Sequence, residues 1–460
     1  MKKKAVLTFF VIISLIICFH ACRKPDIQKE SDYNEWLSGG KQTVFDEGAR
    51  SFAHEFPYIS GNKLAVHDVG DAVFEFQFVG ALSTFRPGLG SIFNSNSCVS
   101  CHIGDGRGKP PLPGEQMVSL LFRTSEQGMD EHGGPKPATG FGAQLQHRAI
   151  FGFQPEAGVN ISYADQTFYF ADGLPYQLQY PTYTIVNPYT TLPSGLMISP
   201  RVARPVFGLG LLEAVSEYSI LMNEDENDLN GDGVSGKPNY VWNVKEQKLT
   251  LGRFGWKAET PTLLQQAALA FNQDIGITNY IFPLESSFGQ PQFDNLNDEV
   301  EISDSLLHAI GFYLKTLAVP ARRNADDAEV LRGKQIFHQA RCSSCHTAMM
   351  KTEVNVAFPE LSNQIIFPYT DLLLHNMGDE LSDNRPTFSA NGNEWRTPPL
   401  WGIGLTQVVN GHQNFLHDGR ARSLMEAIMW HGGEALSRKN YVQNLSLADR
   451  NALIKFLQSL

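Results

Sequence analysis

The sequence contains the stretch Cys98-Val99-Ser100-Cys101-His102 and, in its second half, the stretch Cys342-Ser343-Ser344-Cys345-His346. Two thiols spaced in this way can form thioethers with the two vinyl groups of a heme, and the histidine directly behind them supplies an axial ligand to the iron. A single motif of this kind is also compatible with a zinc knuckle or a redox dithiol. Two motifs, each with a phenylalanine five residues ahead of its first cysteine, favour two covalently bound hemes c.

The first residues have the pattern of an export signal. Lysines at positions 2–4 precede the apolar run 5–17, which is shorter than a membrane span. Cys22 follows the small residue Ala21, as at a lipoprotein cleavage site, and plain cleavage near Ala21 is the alternative. These features predict a signal peptide over residues 1–22 and a periplasmic protein that meets the membrane only through a lipid anchor on Cys22.

The composition excludes some classes of protein. Hydrophobic residues make up 42% and charged residues 18% of the 460 residues, so extended disorder is not expected. The formal net charge of −11 argues against a nucleic-acid partner, whose binders present a basic face, and fits a soluble redox protein that meets a basic partner. Once Cys18 and Cys22 are assigned to the signal region, every remaining cysteine belongs to one of the two motifs, and none is left for a disulfide.

Repeated segments predict that the chain is a duplication. Residues 309–317 resemble residues 452–460, and residues 204–211 resemble residues 397–405, in the same order relative to the two cysteine motifs. We therefore predict a mainly α fold with two duplicated cytochrome c-like domains. The first spans residues 23–320, including an N-terminal lead-in, and the second spans residues 321–460.

The first predicted domain carries an insertion. Residues 159–186 alternate aromatic and polar side chains around the pair Asp172-Gly173. Alternation of this kind about a turn is typical of a β-hairpin or small sheet.

The sequence resembles the di-heme oxidoreductase family, also labelled thiol oxidoreductase-like, which is related to the bacterial di-heme cytochrome c peroxidases. The matching segments cover nearly all of the mature chain: 206–214, 253–258, 318–323, 369–378, 394–402 and 417–422. The resemblance implies a redox enzyme that takes electrons from a small periplasmic donor and passes them to peroxide or another small oxidant.

The resemblance also implies a second iron ligand for the C-terminal heme. In the peroxidases this ligand lies fourteen residues after the histidine of a His-Asp-Gly motif, which here begins at His417, and the position is His431. A second imidazole gives a low-spin heme of lower potential than a methionine does. A surface location for His431, with Met377 or Met425 as the ligand, is the alternative.

In the first half of the chain, Trp256 occupies the place that His417 has in the second half. The residue fourteen positions after Trp256 is Ala270, which cannot bind iron. In the peroxidases a glutamine and a carboxylate follow the corresponding tryptophan and line the peroxide pocket. Gln266 matches that glutamine, whereas Gly276 stands where the carboxylate belongs and Asp274 lies two residues earlier. The resemblance implies Asp274 as acid–base and Gln266 beside it. Trp256 is a candidate electron relay between the hemes. The alternatives are that Asp274 is a solvated carboxylate in a loop and that Trp256 is a buried tryptophan of the core.

The N-terminal heme is therefore expected to be open, or capped by His67 or His147. An open heme predicts an enzyme in which the C-terminal heme feeds electrons to the N-terminal one. Two capped hemes predict a pure electron-transfer protein, for example one that serves iron acquisition. Oxidation of a protein substrate, as in the related maturation enzymes of methylamine dehydrogenase, is a third interpretation.

A polar loop is a candidate calcium site. Asp228, Asn230 and Asp232 have the spacing of the first half of an EF-hand loop, but Asn239 stands at the twelfth place, where a glutamate is usual. A calcium site completed by ligands from elsewhere and a plain turn rich in Asp and Asn both remain open.

Overall fold

The computed structural model describes residues 34–80, 83, 86–296 and 300–460. The predicted signal peptide and Cys22 lie outside these residues. The α-helices are α1 (Asn62–Glu75), α2 (Cys98–Cys101), α3 (Leu209–Glu213), α4 (Glu217–Leu221), α5 (Leu263–Ala270), α6 (Asp304–Thr316), α7 (Ala328–Gln339), α8 (Thr406–Asn410), α9 (Leu424–Trp430), α10 (Leu436–Gln443) and α11 (Leu447–Ser459).

The strands are short, apart from one hairpin. They are β1 (Thr43–Val44), β2 (Ile92–Phe93), β3 (Leu120–Ser125), β4 (Arg148–Ala149), β5 (Gly158–Tyr169), β6 (Pro175–Val186), β7 (Met197–Val202), β8 (Tyr240–Asn243), β9 (Lys248–Leu251), β10 (Val319–Pro320), β11 (Met350–Lys351), β12 (Ile365–Ile366), β13 (Leu374–Asn376) and β14 (Glu394–Arg396). Within the described residues they pair only as two-stranded sheets.

Two packed helix pairs carry the repeated segments. Helix α1 packs on α6, and α7 packs on α11. Each pair is tight because a glycine lies at the contact: a Cβ on Gly70 would collide with the carbonyl of Ala309, and one on Gly333 would collide with the carbonyl of Ala452. Ala309 and Ala452 are the first residues of the two matched segments, so the sequence repeat corresponds to a repeat of packing.

The other repeated segment forms a reciprocal contact between the halves. Gly208 and Gly402 both have a φ of 70°, a left-handed conformation that favours glycine, and each precedes a short helical segment. A Cβ on Gly208 would lie 2.6 Å from Cζ2 of Trp401, and one on Gly402 would lie 2.5 Å from Cζ of Phe207. Each aromatic ring therefore fills the space beside the other half's glycine.

The predicted hairpin is confirmed. Strands β5 and β6 pair antiparallel from Gly158 opposite Val186 to Tyr169 opposite Pro175. The turn includes Gly173, whose φ of +82° suits a residue without a Cβ.

The prediction of a mainly α fold holds only loosely. Helices account for 29% and strands for 19% of the structure, so the fold is mixed. Pairs such as β3 with β7, whose strands are far apart in sequence, lack the local turn that identifies a hairpin. Residues Trp36–Leu460 pack as one compact unit, and the domain boundary at residue 320 stays a prediction. In the described part of the chain, no helix combines the length and apolarity needed to cross a membrane.

Candidate heme centres

The first motif lies at the wall of a cavity, which is called the first cavity below. Helix α2 is a single turn that directs Cys98 and Cys101 into this space, and His102 follows it. His102 donates its Nδ1–H to the backbone carbonyl of Arg204 at 2.7 Å, which leaves Nε2 available to bind iron. Burial lowers the pKa of His102 to about 4, so the imidazole is neutral, as a metal ligand must be.

The thiols of the first motif do not have the properties of a redox pair. Burial raises the pKa of both Cys98 and Cys101 to about 12, whereas reactive dithiols have a lowered pKa. Among the described residues no group of three or more His, Cys, Asp or Glu side chains is placed to hold a metal ion. The raised pKa of the thiols is unfavourable for a redox dithiol.

One helical face presents three of the predicted residues to the first cavity. Gln266, Ala270 and Asp274 all line it. They are spaced four residues apart along α5 and the π-helical turn Phe271–Ile275 that continues it, so they share one face. The small side chain of Ala270 leaves the centre of this face free of any iron ligand.

Asp274 is held from behind by a glutamine. Its Oδ1 accepts a hydrogen bond from Nε2 of Gln144 at 2.7 Å. Burial raises the pKa of the Asp274 carboxyl, and the positive charge of Arg123 and the hydrogen bond from Gln144 oppose the rise. Gln266 accepts from Oγ1 of Thr260 at 2.7 Å, which orients its amide beside the cavity.

The two histidines that were candidates to cap this centre lie elsewhere. Neither His67 nor His147 lines the first cavity. Nδ1 of His67 is 2.7 Å from Oγ1 of Thr316, and the ring of His67 packs against Tyr313. Both ring nitrogens of His147 are occupied, because Nδ1 is 2.8 Å from Nδ2 of Asn94 and Nε2 is 3.1 Å from the carbonyl oxygen of Met117. The geometry disfavours both as caps.

The second motif lies at another cavity, called the second cavity, which is lined by Cys342, Cys345 and His346. His346 donates Nδ1–H to the carbonyl of Tyr369 at 3.0 Å, the same arrangement as in the first motif. His431 also lines this cavity. It donates Nδ1–H to the carbonyl of Ala427 at 2.7 Å, so its Nε2 is free to bind iron. The matching residue at the first cavity is Ala270, whose side chain has no atom that binds iron.

The rival ligands for the second heme differ in position. Met377 lines the second cavity, and Met425 does not. Burial lowers the pKa of His431, which keeps its imidazole neutral. The structure thus brings His346 and His431 to one cavity and leaves Met377 as the alternative ligand.

His375 is a feature of the second cavity that the sequence did not indicate. Its Nε2 lies 2.8 Å from Oδ2 of Asp371, and its Nδ1 lies 3.0 Å from Oε2 of Glu434 and 3.5 Å from Sγ of Cys345. Burial opposes the protonated form, but the carboxylate of Asp371 outweighs it and raises the pKa of His375 well above its usual value. A buried imidazolium therefore lies beside the second motif. The sequence signals are the spacing of four between Asp371 and His375 and the location of both residues in the matched segment 369–378.

The two cavities share part of their lining. Arg107 and Arg396 line both. Nε and Nη1 of the buried Arg107 have no hydrogen-bond partner among the described residues. Donors of this kind are costly to bury and suit the carboxylates of heme propionates. Together with the two pairs of thiols and the free Nε2 atoms of the histidines, these arginine donors show that the residues present fit two hemes.

Trp256 lies at the boundary between the cavities, although it lines the second and not the first. Its ring has the guanidinium groups of Arg107 and Arg204 at 5.6 and 5.7 Å from the centroid, and both arginines line the first cavity. This position fits the predicted relay better than direct contact with a substrate at the first centre. His417, its counterpart in the repeat, stacks on Trp395 with a centroid distance of 3.9 Å.

The loop considered for calcium is closed by hydrogen bonds of its own. The backbone N–H of Asp232 donates to the side chains of Asp228 and Asn230, each at 2.9 Å. Oδ2 of Asp232 lies 3.4 Å from Nη2 of Arg341. These contacts are those of a polar turn, and calcium binding stays a prediction.

The fold and the two cavities thus define a protein able to hold two hemes near each other. A family model described as "Di-haem oxidoreductase, putative peroxidase" matches residues 33–460, and the chain belongs to this family. Its cofactors are accordingly two hemes. The predicted family is confirmed.

Other comparisons add little. The chain is similar to the crystal structure of a MauG-like protein associated with microbial copper homeostasis, with 16% identity, 55% of this chain and 89% of that chain covered, and a TM-score of 0.28. A TM-score of 0.28 is too low to indicate a shared fold. A comparison with curated proteins found no match.

Proposed function

We propose that this protein is an exported c-type di-heme oxidoreductase that reduces peroxide or a related small oxidant at its N-terminal heme. The family supports a peroxidase-like function. The observation that carries the proposal is the difference between the two cavities. The second is lined by His431 together with its motif, and the first is lined by Ala270, with Gln266 and Asp274 one turn to either side.

Cys98 and Cys101 would hold the N-terminal heme through thioethers, and His102 would bind its iron. Cys342, Cys345 and His346 would do the same for the C-terminal heme. When bound, the N-terminal heme supplies the redox chemistry that reduces the oxidant.

The chain's own groups would handle the proton. The carboxylate of Asp274 faces the first cavity and is placed to take a proton from the bound peroxide and return it to the departing oxygen. The amide of Gln266, fixed by Thr260, would orient the oxidant. Burial raises the pKa of Asp274, which is the direction that suits a carboxyl group that both accepts and donates a proton.

Electrons would arrive at the C-terminal heme from a small periplasmic donor. His346 and His431 would keep that heme six-coordinate, suited to electron transfer. Trp256, between the arginines of the first cavity and the lining of the second, lies on the direct route between the two centres. The net charge of −11 favours a donor with a basic docking face.

The alternative is an electron-transfer protein, for instance one tied to iron acquisition, with both hemes capped. It requires a sixth ligand at the first cavity. Among the described residues that line this cavity, His102 is the only histidine and there is no methionine. The geometry therefore favours an open centre.

We also propose a periplasmic location, with a lipid on Cys22 as the membrane anchor. The basic and apolar pattern of residues 1–22 supports it. Labelling with a radioactive fatty acid would test this, and it should be lost in Cys22→Ser.

The test of the function uses the full chain matured with heme in a periplasm. Covalent attachment predicts two hemes per chain that survive denaturation. The electronic spectrum of the ferric protein should show one high-spin and one low-spin heme, and a reduced small cytochrome should be oxidised when peroxide is added. Two low-spin hemes in both the oxidised and the half-reduced protein, with no response to peroxide, would exclude the proposal.

A further inference from the structure

A cluster of buried glutamines lies directly behind Asp274, on the side away from the first cavity. Residues 143–146 run beside β3, with Leu145 N–H donating to the carbonyl of Phe122 at 2.9 Å. Side chains alternate along an extended segment, so Gln144 and Gln146 point the same way, toward the turn that carries Asp274. Each is only 1% exposed.

Hydrogen bonds connect these two glutamines to the segment that carries Asp274 and to a second carboxyl group. Nε2 of Gln144 donates to Oδ1 of Asp274 at 2.7 Å and lies 2.9 Å from the carbonyl oxygen of Gln273. Nε2 of Gln146 donates to the same carbonyl at 2.6 Å. The backbone N–H of Gln146 donates to Oε2 of Glu156 at 2.6 Å. The carboxyl group that lines the first cavity is thereby linked to a second carboxyl group.

The hydrogen bonds continue toward the outside. Oε1 of Glu156 accepts from Nε2 of Gln290 at 2.9 Å. Glu156 is 1% exposed, whereas Gln290 is only half-buried. Gln290 is therefore the outer end of this set of hydrogen-bonded groups and Asp274 its inner end.

The amide oxygens of this cluster are unpaired. Oε1 of Gln144, Gln146, Gln273 and Gln290 is buried in each case and has no hydrogen-bond partner among the described residues. Native proteins pair nearly all buried polar atoms, with ordered water where protein groups are lacking. These four amide oxygens are therefore candidate partners for ordered water.

Glu156 differs from Glu259 in the charge of its surroundings. Glu259, by contrast, faces Arg201, whose Nη1 lies 2.7 Å from its Oε1. Burial raises the pKa of Glu156 to about 8, against the hydrogen bonds from Gln146 and Gln290. The group thus holds a proton near neutral pH and can release it.

We propose that the glutamine cluster binds ordered water and that Glu156 relays protons from solvent at Gln290 to Asp274 in the first cavity. The inference rests on the proposed function. Reduction of one peroxide to two waters breaks the O–O bond and consumes two electrons and two protons. The electrons come from the donor through the second centre. The protons cross the buried cluster, and Asp274 is reprotonated after each transfer.

The test compares Glu156→Gln with a matched control, Glu285→Gln. Glu285 is also a buried glutamate whose pKa burial raises to about 8, and its carboxylate accepts from Oγ of Ser287 rather than from the cluster. Hydrogen cyanide loses its proton when it binds a ferric heme, so its rate of binding reports proton movement without turnover. Glu156→Gln should slow both cyanide binding and peroxide turnover about tenfold or more, with an unchanged ferric spectrum. Glu285→Gln should stay within about twofold of the wild type.

A third variant separates a relay from simple positioning. Gln144→Leu removes the hydrogen bond to Asp274 and should slow both rates. If Gln144→Leu slows both rates but Glu156→Gln is as fast as Glu285→Gln, Gln144 only positions Asp274 and the proposed relay is wrong. If the wild type binds cyanide but does not reduce peroxide, the proposed function is wrong. Slower cyanide binding by Glu156→Gln would still support the relay in that case. A wild type that binds no cyanide has a closed first centre and overturns both.

Discussion

Trp256 and His417, the two residues at matching places in the repeat, are joined through the backbone of Val202. The indole Nε1–H of Trp256 donates to the carbonyl of Val202 at 3.0 Å, and the N–H of Val202 donates to the carbonyl of His417 at 2.8 Å. Trp256 lines the second cavity, and Val202 ends β7, two residues before Arg204 of the first. The two centres are therefore linked by one short stretch of main chain.

Replacing Trp256 by Phe should weaken this link. The variant keeps an aromatic ring but leaves the buried carbonyl of Val202 without its donor, which costs about 1–3 kcal/mol in free energy of unfolding. Electron transfer from the second to the first heme, followed by rapid mixing, should also become slower. Trp242→Phe is the control, because Trp242 stacks on His132 and lines neither cavity. Equal rates in the two variants would contradict a relay at Trp256.

Replacing His431 by Ala should convert the second heme from low spin to high spin. The free Nε2 of His431 is the proposed iron ligand, and alanine offers none. Electronic and magnetic resonance spectra of the ferric protein would show the change. Met377→Leu tests the rival ligand on the same cavity, and Met425→Leu, outside the cavity lining, is the control. A spectrum that changes in Met377→Leu alone would move the assignment to Met377.

Replacing Asp274 by Asn should reduce kcat for peroxide by about 10²–10⁴-fold, the usual contribution of an acid–base group. The KM for peroxide and the ferric spectrum should change little, because Asn keeps the size and the hydrogen bonding of the side chain. Steady-state kinetics with a reduced cytochrome donor would measure this. Asp68→Asn, at an exposed position of α1, is the control.

The His375 cluster should make stability depend on pH. The folded pKa of His375 is raised, so its contribution is fully present below about pH 6.5, its unfolded value, and is lost as the pH rises through the folded value. Burial opposes ionisation of Glu434, but its hydrogen bonds from His375 and Ser235 lower its pKa to about 2. The contribution of Glu434 is therefore present above about pH 4.3 and is lost as the pH falls toward 2.

His375→Gln should accordingly destabilise the fold most between about pH 4.5 and 6.5, by about 3–5 kcal/mol, because it leaves buried carboxylates without their cation. The difference should shrink in alkaline solution. Denaturant unfolding of the heme-loaded protein at several pH values would measure it. A difference that grows with pH would contradict the assignment of a buried imidazolium.

The β5–β6 hairpin should stabilise the helix that carries His431. Tyr180 packs edge-on against Trp430 with a centroid distance of 4.7 Å, and the N–H of Gln179 donates to Oε1 of Glu426 at 2.8 Å. Tyr180→Ala should lower the free energy of unfolding by about 1–2 kcal/mol and raise the high-spin fraction of the second heme. Tyr176→Ala, whose ring packs on Phe168 and Phe170 within the hairpin, should leave the spin state unchanged.

The sequence by itself determined the features that depend on local spacing. The two cysteine motifs and the hairpin about Gly173 follow from residues close together in the chain, because helical and strand periods dictate which side chains share a face. The contrast between Ala270 and His431 came from the resemblance to the di-heme peroxidases. The repeated segments likewise placed Gly208 and Gly402 at matching positions, although the contacts that these glycines make were not predicted.

Only the tertiary structure decided what surrounds those residues. Arg107 lines both cavities, Glu434 meets His375 from 59 residues away, and Gln144 reaches Asp274 across 130 residues. No local period relates residues so far apart. Their meeting depends on how the strands and helices of the two halves pack, and burial at that packing then sets the charge state of each group.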